Sequence, residues 1–344
     1  MRIGKRKAIA LFAALACAAA AAGCNPQANE EKTTQTRFTL DTVVTLTAYQ
    51  SGAEKTLNRA FSRIAQIEDE MGVLKQDSEI AALNAKGTAK LTEDVFFVIQ
   101  KGLEIARLSG GAFDPTVLPL TRLWGFDDEA KEKKVPTADQ IEKARARVDY
   151  KKVALDEKTG TVVLEKSMGV DLGGIAKGYA ADEAWRIFRE DGVRSAILDL
   201  GGNIVAVGSR PDGTPWRIGI RDPRAQSEGG YYAVLSLSDE AVVTSGDYER
   251  YFMENGVRYH HIFDTKTGYP AQSGVISATI VSKDSTTADA LSTAVFVLGV
   301  DKGLALVESV EGTEAVIVTG DKKVYATPGI RDRVEMVSTE YTLQ

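Results

Sequence analysis

Cysteine is nearly missing from this 344-residue chain. The only two, Cys17 and Cys24, stand in the first 24 residues, so the remainder has no thiol for a disulfide, a thiolate metal site or a cysteine nucleophile. Histidine is equally scarce: the only two are the neighbours His260 and His261. A zinc site, which needs three or four nitrogen or sulfur ligands, therefore finds no support. There is no basic surplus, since 42 Lys and Arg face 48 Asp and Glu for a formal charge of −6. With no RNA-recognition, helix-turn-helix or finger spacing either, nucleic acid is set aside as a partner. Neither a P-loop nor a nucleophile elbow in Ser-His-Asp order is present. No apolar run reaches the roughly 20 residues a membrane-spanning helix needs.

What the chain does have begins with an export signal. Arg2, Lys5, Arg6 and Lys7 form a positive start, followed by the 16-residue apolar run Ala8–Gly23, which ends in small residues. Its close, "AAGC", places Cys24 where a lipoprotein signal is cut and the new N-terminal cysteine acylated. Residues 1–23 thus read as a lipoprotein signal peptide and 24–37 as a polar, flexible tether. Residues 38–344 read as one catalytic domain. Cleavage removes four cations and takes the charge from −6 to −10, so attachment rests on a lipid anchor rather than on attraction to acidic lipid. The expected location is outside the cytoplasmic membrane, on the periplasmic side where there are two membranes.

Within the domain, 44% hydrophobic and 26% charged residues suffice for a substantial core. "FTLDTVVTLTAY" alternates as a strand. Leu57, Phe61, Ile64, Ile67 and Met71 recur at helical spacing over 54–71. A helix over 92–109 stops at "SGG", a short one starts near Thr137, and two strands flank the turn "DEKTG". Further on, a strand is expected to close on Asp171, with a helix at 175–191. Four apolar strand segments follow, "SAILDLGGNIVAVG", "PWRIGIRDP", "YAVLSLSDEAVVTSG" and "GVISATIVS", then helices at about 286–299 and 301–309. So many hairpin-linked strands argue for an α+β fold: mixed, largely antiparallel sheets flanked by helices, in two lobes.

Four segments could carry chemistry. "VDLGGIAKGYAAD" (170–182) offers bare backbone at a helix start with Lys177 as counter-charge, a seat for phosphate, though a tight packing turn reads the same way. "TTADALSTA" (286–294) sets Asp289 and Thr293 four apart, so that both oxygens point one way. A carboxylate and a hydroxyl suit Mg²⁺ that keeps waters and binds substrate phosphate; an acidic first turn and a threonine bonding its own helix fit equally. "HHIFDTKTGYP" (260–270) holds both histidines, one of them a candidate general base with Asp264 nearby, the other free to pack. "SGGAFDPTVLPLTRLWGF" (109–126) combines open backbone with aromatic residues able to take a planar ring, or to fill a hydrophobic turn.

Together "SGGAFDPTV", "VDLGGIAKGYAAD", "PWRIGIRDPR", "TSGDYERYF", "HHIFDTKTGYP" and "TTADALSTAVFVLG" resemble the ApbE family of FAD:protein FMN transferases. The likeness runs in order from about residue 38 to the C-terminus. It implies an ApbE-like domain that binds FAD as substrate, uses Mg²⁺, and transfers FMN to a threonine or serine hydroxyl of a target flavoprotein, releasing AMP. Such targets are membrane redox-complex subunits. Carried over residue by residue, Ala112, Phe113 and Asp114 match the FAD-contacting triplet, and Asp171 and Lys177 match FAD contacts in the Gly-rich motif. Gly174 matches the residue whose carbonyl holds the metal, and Asp289 and Thr293 match its side-chain ligands. His261 matches the histidine needed for transfer, and Ile262 lies beside it in the flavin-contacting region. Leu40 stands where many relatives have Met, and Leu74 where many have an aromatic residue that stacks on FAD. Thr265 replaces a common Pro and Leu118 a common Gly. Two other functions fit the same residues: an FAD pyrophosphatase with water as acceptor, and a non-enzymatic flavin-binding lipoprotein.

Overall fold

The computed structural model describes residues 31–127, 133–225 and 229–344. The signal peptide and Cys24 lie outside these. Strands β1 (Lys32–Thr39) and β2 (Thr42–Tyr49) form the first hairpin. The tether expected over 24–37 is therefore strand from Lys32 onward. Its polar side chains mislead because β1 is an edge strand whose threonines pair across the ladder, Thr34 with Thr47 (3.1 Å) and Thr36 with Thr45 (3.0 Å). Leu40 and Asp41, both at φ 54°, make the turn.

Helix α1 (Glu54–Met71) has the predicted bounds, with its five apolar residues buried. Next come α2 (Glu79–Lys86), β3 (Thr88–Lys90), α3 (Glu93–Leu108), α4 (Leu118–Trp124) and α5 (Ala138–Arg145). Thr137 caps α5 in a reciprocal capping box with Gln140. Strands β4 (Ala154–Asp156) and β5 (Thr161–Val163) flank the predicted turn and pair with β3 in a small sheet. Helix α6 (Ala176–Glu190) is followed by the hairpin β6 (Ser195–Leu200) and β7 (Asn203–Gly208). Then come β8 (Trp216–Arg221), β9 (Tyr231–Leu237), β10 (Glu240–Gly246), the ribbon β11 (Tyr251–Glu254) with β12 (Val257–His260), and β13 (Val275–Ser282). The chain ends through α7 (Ser285–Leu298), α8 (Val300–Glu308), β14 (Thr313–Thr319), β15 (Lys323–Ala326), α9 (Pro328–Arg331), β16 (Val334–Met336) and β17 (Thr342–Leu343).

One nine-stranded sheet, in the order β1-β2-β6-β7-β10-β13-β14-β15-β17, is antiparallel at every pairing but the last. One face packs on α1, α3, α6 and α7 in the main core, through residues such as Leu46, Leu198, Phe61 and Leu291. The other face packs on the sheet β16-β9-β8 through Tyr232, Leu235, Val242 and Val318. A second lobe gathers around Trp124, joining α4 and α5 to the β11–β12 ribbon, where Phe252 and Tyr259 stack at 5.3 Å. Among the described residues no helix is long and apolar enough to cross a membrane.

Candidate active site

Residues 168–172 belong to no strand, and 173–175 turn into α6. The strand expected to end on Asp171 is replaced by a single side chain. The Asn84 amide donates to the Val170 carbonyl (2.8 Å) and accepts from its N–H (2.7 Å), as a strand partner would. Asp171 N–H bonds the Pro115 carbonyl (2.8 Å), which ties this segment to the 112–116 loop. The Asp171 carboxylate accepts from Gly173 N–H (2.9 Å) and tightens the glycine turn.

The seat this turn offers is narrower than an open helix end. Gly173 N–H goes to Asp171, those of Ile175 and Ala176 to the Leu172 carbonyl, and that of Gly178 to Asp289 Oδ2 (2.8 Å). The N–H groups of Gly174 and Lys177 have no partner among the described residues. The Lys177 ammonium reaches back to the Gly173 carbonyl at 3.4 Å.

Across this turn stands α7. A Cβ placed on Gly174 would lie 3.2 Å from the Phe113 ring and 3.6 Å from Thr293 Oγ1. Gly174, Phe113 and Thr293 thus share one small space. Thr293 Oγ1 is also 3.4 Å from Ser245 Oγ, itself 2.7 Å from Ser292 Oγ. Asp289 is buried, with Oδ2 on Gly178 N–H. Among the described residues no three His, Cys, Asp or Glu side chains gather as a metal cluster. The candidate donors are instead one carboxylate, one hydroxyl and one backbone carbonyl. All are hard oxygens, a set that fits Mg²⁺ and leaves positions for water and substrate phosphate.

Asp114 is buried in its own loop: Oδ1 accepts from Thr116 N–H (2.8 Å) and hydroxyl (2.7 Å), and Oδ2 from Tyr150 N–H (3.0 Å). Burial pushes its pKa up against those bonds. Ala112 and Phe113 are buried beside it. Two departures from the family pattern find partners here. The Thr265 hydroxyl donates to the Gly111 carbonyl (2.6 Å), and the Leu118 side chain fills the space above Gly169. Leu40 sits partly buried in the β1–β2 turn, and Leu74 is 55% exposed after α1.

The two histidines divide their roles. His260 is buried, edge-on to Phe296, with Nε2 on the Ala271 carbonyl (3.1 Å) and Nδ1 accepting from Ile262 N–H (3.3 Å). Both its nitrogens are spent, so it packs. His261 Nδ1 lies 3.2 Å from the Arg250 carbonyl, which can only accept. The proton therefore sits on Nδ1, and the Nε2 lone pair is left free. Burial, with the Arg250 guanidinium next, pushes the His261 pKa down to about 3. Asp264 does not orient this ring. It closes the 264–268 turn, accepting from Lys266 N–H (2.9 Å). His261 stands 6.3 Å from Phe126 of the Trp124 lobe, and Lys177 acts electrostatically on both His261 and Glu249. The imidazole and the Gly174–Thr293 set thus come from different lobes. Ile262 is buried.

A layered α+β fold with hard oxygens at a helix crossing and a histidine Nε2 without a partner on the neighbouring lobe suits an enzyme of group transfer. The comparisons give the family. A family model described as the ApbE family matches residues 40–317, and the chain belongs to that family. An FAD:protein FMN transferase of Treponema pallidum is 39% identical over 307 residues, 84% of this chain and 83% of the relative. One of Haemophilus influenzae is 35% identical over 263 residues, 74% and 76%. The solved ApbE protein of Thermotoga maritima superposes with a TM-score of 0.82 at 33% identity, covering 88% of this chain and 99% of that one. The flavin transferase ApbE of Vibrio cholerae gives 0.79 at 28% identity over the same shares.

Proposed function

We propose that the protein transfers FMN from FAD to a threonine or serine hydroxyl of a target flavoprotein and releases AMP, with Mg²⁺ required. The observation that carries this reading is the shared space of Gly174, Thr293 and Phe113, one helical turn from Asp289, with the free Nε2 of His261 on the adjoining lobe. The names of the relatives support the flavin transfer itself.

The Gly174 carbonyl, Asp289 Oδ1 and the Thr293 hydroxyl would hold Mg²⁺, which when bound offsets diphosphate charge and polarises the phosphorus. Lys177 and the free N–H groups of Gly174 and Lys177 add positive potential where the diphosphate must lie. Ala112, Phe113, Asp114, Asp171 and Ile262 would shape the FAD site, with Leu40 and Leu74 at its rim. His261 Nε2 takes the proton of the incoming hydroxyl. The new bond joins that oxygen to the phosphorus of the FMN half; the bond broken is the one from that phosphorus to the bridging oxygen, which leaves with AMP. The domain would act outside the cytoplasmic membrane, held there by lipid on Cys24.

Incubating the enzyme with FAD, Mg²⁺ and the flavin-carrying subunit of a membrane redox complex tests this. Mass spectrometry should find one FMN on a threonine or serine, in step with AMP. AMP and free FMN with an unmodified subunit would make water the acceptor. FAD bound without turnover would make the protein a carrier.

A further inference from the structure

Helix α6, with the turn that precedes it, runs antiparallel to α7 in one register, one turn per step. Gly174 faces Thr293, Gly178 faces Asp289, and Asp182 faces Ser285 and Thr286. The first two steps belong to the site already described. The third has no place in the chemistry, and it is the most strongly bonded. Asp182 Oδ1 accepts from Ser285 N–H (2.9 Å), while Oδ2 accepts from Thr286 N–H (2.8 Å) and its hydroxyl (2.6 Å).

We infer that Asp182 is the positioning residue of the transfer site, the pin that fixes where α7 lies along α6 and so holds Asp289 and Thr293 opposite Gly174. This rests on the metal reading given above. Three of the four N–H groups opening α7 go to carboxylates, two to Asp182 and one to Asp284. Asp284, the residue before the helix, takes Thr287 N–H on its side chain and Ala288 N–H on its carbonyl. A cap from the same strand of chain secures the helix end but says nothing about its place on a neighbour. Asp182 caps from the other helix and does both. α7 is also held by Gly178 N–H on Asp289 (2.8 Å), Ser245 Oγ on Ser292 Oγ (2.7 Å) and the Ser273 hydroxyl on the Phe296 carbonyl (2.5 Å), one bond each against the three of Asp182; the apolar grip through Ala288, Leu291, Ala294 and Val295 has no direction. A slide of one residue, about 1.5 Å, would break all three Asp182 bonds and carry Asp289 off Gly178 N–H.

The test is Mn²⁺ affinity, read from the electron paramagnetic resonance of the free ion in the presence of ADP, whose diphosphate and adenosine match those of FAD. Asp182→Ala should weaken Mn²⁺ binding by about tenfold or more, as losses behind a metal ligand do. Asp182→Glu keeps the charge and the cap but lengthens the arm, so it too should weaken Mn²⁺ if position is what counts. Tyr179→Phe is the control. Its hydroxyl donates to Asp94 on α3 (2.6 Å), not to α7, so it should lower the melting temperature and leave Mn²⁺ affinity unchanged. If Asp182→Ala does not fold, Asp182→Glu decides alone. Parental Mn²⁺ affinity in the Asp182 variants would overturn the inference. A parent that takes up no Mn²⁺ at all would overturn the metal reading, and this inference with it.

Discussion

Gly178→Ala puts one methyl group into the α6–α7 crossing. Its carbon would lie 2.7 Å from Asp289 Cβ and 2.8 Å from the Ser285 carbonyl carbon, with the Ser285 oxygen nearer still. Ordinary carbon contacts need about 3.5–4.0 Å, so the helices must part by roughly 1 Å. Overpacking of this kind costs about 1–3 kcal/mol. The bond from Gly178 N–H to the Asp289 carboxylate is strained or lost as well, worth about 1.5–3 kcal/mol for a charged acceptor. Against this, alanine gains about 1 kcal/mol of helix propensity over glycine. The net loss is about 2–5 kcal/mol, which for a domain of this size lowers the melting temperature by about 4–10 °C. Gly102→Ala on α3 is the matched comparison. Its Cβ would meet Pro115 at 3.5 Å and the Phe113 ring at 3.6 Å, both ordinary contacts, so only the propensity gain of about 0.5–1 kcal/mol remains. Thermal melting of the two variants should split them in opposite directions around the parent. If Gly178→Ala melts at or above the parental temperature, the close crossing described here is wrong.

Asp289→Asn keeps an acceptor for Gly178 N–H while removing the anionic oxygen, so transfer at limiting Mg²⁺ should collapse with little change in melting; Asp289→Ala should also lose about 1–3 kcal/mol by stranding that N–H. Thr293→Ala should be partly restored by raised Mg²⁺ in a rate-against-Mg²⁺ series, and parental rates there would exclude it as a ligand. Leu74→Tyr should tighten FAD binding by up to about tenfold through ring stacking, measured by flavin fluorescence; no gain would place residue 74 away from the ring. For His261, burial lowers the folded pKa from 6.5 to about 3, so the unfolded chain binds its proton first. That share of stability is whole above about pH 6.5 and is lost as pH falls toward 3; His261→Asn should flatten acid unfolding there, and the parental rate should show no rising limb near pH 6.5. Cys24→Ser should release the domain from membranes with its soluble activity intact, and a variant that still sediments with membranes would refute the anchor.

How far sequence reading reached follows from which forces are local. The bounds of α1 and the Thr137 cap were legible because a buried stripe and a capping box each lie within one stretch of chain. β1 was not. Its alternating threonines look like a soluble tether until β2 supplies the other half of the ladder. The segment before Asp171 reads as a strand because its residues are apolar, but its backbone partner is the Asn84 side chain 86 residues away.

The site divides the same way. Spacing alone put Asp289 and Thr293 on one helical face, and the glycines before α6 on an approachable turn. Which histidine stays free depends on the carbonyls of Ala271 and Arg250, and no pattern in "HH" encodes them. Gly178 and Asp182 carry a signal that only the fold makes readable: 174, 178 and 182 step by four from the turn into α6, as 293, 289 and 285 do along α7. Two matched four-residue ladders on separate helices carry meaning only once the helices are known to cross antiparallel. In this protein they do, and the same spacing that aligns the candidate metal ligands also aligns the carboxylate that holds them in place.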